Sequence, residues 1–76
     1  MAITFKQARA AVTKDSGLAT LDQGVEDASD YSILLAQPQL DDTVTFVSKA
    51  TGAVHREVYW DQESRLKAMT PVYDRP

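Results

Sequence analysis

The sequence predicts an α+β fold: an N-terminal helix packed on a three- to four-stranded antiparallel meander, with a short C-terminal helix. Three observations predict it. Residues 43–60, TVTFVSKATGAVHREVYW, hold two runs of β-branched and aromatic residues around a tight turn, which is a hairpin signature. Residues 3–12, ITFKQARAAV, open on a helix start signal and continue with apolar residues at helical spacing. The whole chain has 76 residues, which is the size of one domain.

Taken in order, Thr4 reads as a helix N-cap, and Gln7 three residues later completes a capping box. Phe5, Ala8 and Val12 then share one side, joined by Ala11, while Lys6 and Arg9 point outward. This predicts a helix over 5–14, closed by Asp15-Ser16 and a left-handed Gly17. Within 18–27, Leu21, Gln23 and Val25 alternate with more polar neighbours as in a short strand, and Gly24 marks a bulge in it. Asp27-Ala28-Ser29-Asp30 has turn chemistry, because short polar side chains bond to nearby backbone. Residues 31–37, YSILLAQ, are apolar on both faces and predict a central strand that Pro38 stops. Residues 39–42 form a polar loop in which Leu40 is the apolar exception.

In the hairpin, Gly52 takes the left-handed conformation that the turn at 49–52 needs. Alternation predicts a core of Val44 and Phe46 with Val54, Val58 and Trp60, and Arg56 breaks that row as a residue near a sheet edge. Asp61 is placed to cap a second helix over 62–69, with Leu66 and Met69 on its inner side. Thr70-Pro71 closes it, and residues 70–76 are expected to form an extended tail of the single domain 1–76.

Composition narrows the function classes. An apolar fraction of 43% with 25% charge is that of a folded chain. There is no cysteine and one histidine, so disulfides and thiolate or histidine-rich metal sites are excluded, and no cofactor is expected. No apolar run approaches the roughly 20 residues of a membrane span, and the N-terminus lacks signal-peptide order, so a cytoplasmic protein is expected. Net charge is −3, but it is segregated: no Lys or Arg falls between Lys14 and Lys49, an interval holding Asp15, Asp22, Glu26, Asp27, Asp30, Asp41 and Asp42. Such a middle repels phosphate, so nucleic acid is not an expected partner.

The opening ITFKQARAAV resembles the I-T-x-x-x-A first helix of PepSY-like modules and of YrhB-type proteins, small bacterial proteins of a predicted immunity family. The segment VTFVSKATGAVHRE resembles their closing hairpin with its V-x-x-A-T-G-x-V turn. Thr4, Ala8, Ala50, Thr51, Gly52 and Val54 fill motif positions, and the likeness covers about half of the chain. The acidic middle and the C-terminal WDQESRLKAMTPV depart from the pattern. The resemblance implies a non-enzymatic inhibitory or binding module.

His55 has Glu57 on its own strand face but no pocket around it, so it reads as a surface strand residue that can tune an interface rather than as a general base. Asp41-Asp42 and Asp27 to Asp30 lack the regular oxygen spacing and glycine turn of a calcium loop and read as solvated turns. The expected interface comprises the carboxylates Asp22, Glu26, Asp27, Asp30, Asp41 and Asp42, which would steer a basic protein partner, together with His55, Arg56 and Tyr59 on the late hairpin arm. The function this suggests is a protein-binding module, an inhibitor or immunity-type antagonist and not an enzyme. The alternative is an assembly role in a homo-oligomer or phage particle, with the late arm pairing as a sheet edge in a homodimer.

Overall fold

A computed structural model describes residues 2–37 and 42–74. Helix α1 (Phe5–Ser16) begins with the expected capping box: Thr4 Oγ1 accepts from Gln7 N–H, and Gln7 Oε1 accepts from Thr4 N–H. It runs two residues beyond the expected end and stops at Gly17, whose φ of 74° is left-handed. Its buried residues are Phe5, Ala8 and Val12, the side picked out by spacing.

Strands β1 (Thr20–Glu26), β2 (Asp30–Leu35), β3 (Thr43–Ser48) and β4 (Val54–Val58) form the antiparallel meander. Asp27 caps the β1–β2 turn, its Oδ1 accepting from the N–H groups of Ser29 and Asp30. In the β3–β4 turn Gly52 has φ 77°, and its N–H donates to Ser48 O. The register slips between Thr20 and Gly24, the expected bulge. A methyl group on Gly24 would lie 2.4 Å from Ser32 O and 3.3 Å from the Phe5 ring, so only glycine lets α1 approach β1 this closely.

Part of the expected tail joins the sheet, and residues 75 and 76 lie outside the described residues. Thr70–Tyr73 forms β5, which pairs antiparallel with β1, giving a five-stranded sheet in the order β4-β3-β2-β1-β5. Pro71 is tolerated because β5 is an edge strand, where one side of the backbone needs no sheet partner. Arg9 ties this strand to α1: its Nη1 lies 2.6 Å from Asp74 Oδ2, and its Nε and Nη2 bond to Thr20.

Paired residues share a face, so α1 lies over Tyr31, Ile33, Val47 and the half-buried Val54 and Val72. The expected core row is therefore corrected. Phe46 is paired with His55 and Val44 with Glu57, so these two side chains point away from Val54 and Val58 onto the second face. Val58 is 37% exposed, and Trp60 is not in the sheet at all. Alternation could not choose between the faces of β3, because both are apolar.

Helix α2 (Tyr59–Ala68) starts three residues earlier than expected and has Val58 as its N-cap, with no side-chain bond; Asp61 lies in its first turn. The strand stops at Val58, which pairs with Thr43, the first residue of β3. Tyr59 N–H instead donates to Asp42 O. The helix then connects β4 at one edge to β5 at the other. Four strand spacings make that gap about 19 Å, and ten helical residues rise about 15 Å, so α2 is a strap lying across the second face.

Candidate functional site

What the strap covers, and what it leaves open, follows from how it is pinned. Arg65 Nε bonds to Asp27 Oδ2 at 2.8 Å and Nη2 to Asp30 Oδ2 at 2.6 Å, and Ser29 Oγ accepts from the same Nη2. The guanidinium also lies 4.6 Å over the ring of Phe46, which is fully buried. The Arg65 hydrogen bond holds the Asp27 carboxyl well below its usual range. At Asp30, burial pushes the carboxyl up, but bonds from Arg65, Ser29 and His55 outweigh it and the net shift is down. The two carboxylates hold the guanidinium proton more tightly in turn. Arg65 thus fastens the C-terminal half of the strap to the β1–β2 turn.

The N-terminal end is different. No residue of α2 is buried, and Val58, Tyr59 and Trp60 are 37, 48 and 63% exposed. Between Arg56 and Arg65 the chain carries Glu57, Asp61 and Glu63 without a Lys or Arg. Asp42 joins them through the Tyr59 backbone bond. Tyr59 and Trp60 are thus exposed in a stretch of chain that carries the carboxylates Glu57, Asp61 and Glu63, of which Glu63 pairs with Lys67 at 3.3 Å.

Beneath the strap, a groove of about 590 Å³ opens between α2 and the second sheet face. Leu21, Val25, Leu34, Val44, Tyr59 and Leu66 line it, and Leu21 and Leu34 remain 36 and 43% exposed there. Ser32 is on this face and 1% exposed, and its Oγ has no hydrogen-bond partner among the described residues.

The structure disperses the interface expected from sequence. Asp27 and Asp30 are neutralised by Arg65, and Glu26 by Lys49 at 2.7 Å. Lys49 also lies 4.8 Å over the buried Tyr31 ring. These three acids sit at the turn end of the sheet, while Asp42 lies at the opposite end beside Tyr59, and Asp22 is exposed on β1. Asp41, Pro38 and Leu40 lie outside the described residues. His55 faces the second side, stacked on Phe46, with Asp30 and Glu57 each 3.4 Å from a ring nitrogen; Arg56 faces the other side, exposed. His55, Arg56 and Tyr59 therefore do not form one surface. Sequence reasoning missed Arg65 as a clamp. The signal available was an acid-only turn whose compensating cation had to come from elsewhere in the chain.

Among the described residues no group of three or more His, Asp or Glu side chains is placed to hold a metal ion, and no helix is long and apolar enough to cross a membrane. Comparison with protein-family models, curated proteins and solved structures finds no match to this chain.

Proposed function

We propose that this chain is a non-enzymatic binding module that docks a basic protein through the aromatic end of its strap, in the manner of an inhibitor or antagonist. The observation that carries the reading is Trp60, 63% exposed in the first turn of α2 between Glu57 and Asp61. An indole left in water is a large apolar area that a partner would cover, and buried Trp and Tyr dominate binding energy at protein interfaces. The rim of Asp42, Glu57 and Asp61 would guide a cationic surface toward it and speed encounter. The steering charge is thus placed on these three residues rather than on Asp27 and Asp30. The likeness of residues 3–12 and 47–54 to PepSY-like and YrhB-type modules points to the same class of function.

Assembly through sheet edges is the weaker reading, because both edges are protected. Pro71 interrupts the donors of β5, and β4 presents Arg56 and Glu57. The test is affinity capture at low and high salt with the intact chain and with Trp60→Ser. A captured basic protein, released by salt and absent from the Trp60→Ser eluate, supports the reading. Capture that is indifferent to Trp60 and to salt, or no capture, contradicts it.

A further inference from the structure

We infer that the groove beneath α2 is a binding site for an uncharged, largely apolar small molecule carrying one hydrogen-bonding oxygen, with Ser32 Oγ as its polar contact. The volume, about 590 Å³, suits a ligand site, since such pockets run from about 300 to about 1,000 Å³. The walls are mainly apolar, and three of their side chains, Leu21, Leu34 and Tyr59, stay more than one-third exposed in a domain too small to waste apolar area.

Ser32 supplies the polar element. Its register neighbours on the second face are Val25 and Phe46, neither of whose side chains can bond to a hydroxyl. A buried hydroxyl with no partner is costly to keep and is rare in folded proteins. It is explained if a ligand oxygen completes it. The charge of the lining selects the ligand further. Glu63 and Lys67, one turn apart on α2, pair with each other at 3.3 Å, so among the described residues the lining offers no spare charge to a buried ion. A neutral alcohol, phenol, ketone or amide fits; a carboxylate or an amine does not.

Entry requires a small outward tilt of the strap, because Ser32 Oγ is out of reach of solvent. The helix permits this. It has no buried residue, and its first turn is held by the Tyr59 backbone bond, so that end can lift while Arg65 holds the C-terminal half.

The site is independent of the protein-docking reading and is tested without a partner. The full chain is titrated with 2-naphthol and with 2-methylnaphthalene, its isostere lacking the hydroxyl, and backbone and methyl NMR shifts are followed. The wild-type chain should bind the naphthol about 3- to 10-fold more tightly, the value of one hydrogen bond. The shifts should centre on Val25, Ser32, Leu34 and Val44. Ser32→Ala should bind both probes alike, and Leu34→Asp, at an exposed position that does not threaten folding, should weaken both. Trp60→Ser should change neither affinity. The inference is overturned if neither probe binds up to its solubility or if Ser32→Ala keeps the preference. Shifts confined to Val58 and Trp60, which do not line the groove, overturn it too, as does concentration-dependent self-association that covers the groove with a second copy.

Discussion

Replacing Arg65 with alanine tests the strap where its energy is most concentrated. The side chain makes two charge-assisted hydrogen bonds, at 2.8 Å to Asp27 and 2.6 Å to Asp30, and stacks at 4.6 Å over Phe46. Buried bonds to a charged group each contribute about 1.5–3 kcal/mol. The Arg65, Asp27 and Asp30 side chains are 31, 29 and 13% exposed, so solvent screening reduces this to about 1 kcal/mol each. The cation–π contact adds about 0.5–1 kcal/mol. The expected loss is about 2–3 kcal/mol, set against a total of about 4–11 kcal/mol for a chain of this length. In urea, with a slope of about 1 kcal/mol per molar, the midpoint should fall by about 2–3 M.

The same variant should change the response to acid. Asp27 and Asp30 have lowered carboxyl pKa values in the fold, so the unfolded chain binds more protons and stability rises with pH. Their contribution is full above the unfolded value of about 3.9 and is lost as pH falls through the folded values. Wild-type stability should therefore drop steadily below about pH 4, and Arg65→Ala should lose most of that dependence. A midpoint shift under about 0.5 M, or an unchanged acid limb, would refute the clamp.

Two other substitutions probe the packing on either side of the sheet. Gly24→Ala puts a methyl group 2.4 Å from Ser32 O and against Phe5, and should cost about 1–3 kcal/mol by overpacking, read as a lower thermal midpoint. Ser32→Ala removes a buried hydroxyl that has no partner, and should leave the empty protein unchanged or raise its stability by about 1 kcal/mol in urea. A loss of stability would show that the hydroxyl is satisfied within the protein.

The elements legible in the sequence are those built from local signals. Thr4 and Gln7 cap α1 three residues apart, Gly17 closes it, Asp27 bonds to the next two backbone donors after Ala28, and Gly52 turns the hairpin. What escaped depends on distant partners. The β-favouring run Val58-Tyr59-Trp60 reads as strand, yet Val58 pairs with Thr43, where β3 begins, and the run ends in a helix. Residues 70–73 read as a tail because nothing local shows that β1 has a vacant edge. The neutralisation of Asp27 and Asp30 was hidden for the same reason: Arg65 reaches carboxylates 38 and 35 positions away, a pairing invisible to any local charge count. The groove was hidden because YSILLAQ is apolar on both faces, so alternation could not show that Ser32 would lie beneath a strap.

Trp60 is the sole tryptophan of the chain, so its fluorescence reports without ambiguity on the surface that carries the proposed function. In the dilute isolated protein, emission should match free indole in water, be quenched freely by acrylamide and shift little on unfolding in urea. A blue-shifted, quencher-resistant emission that moves to the red on unfolding would place the indole in the core and contradict the strap.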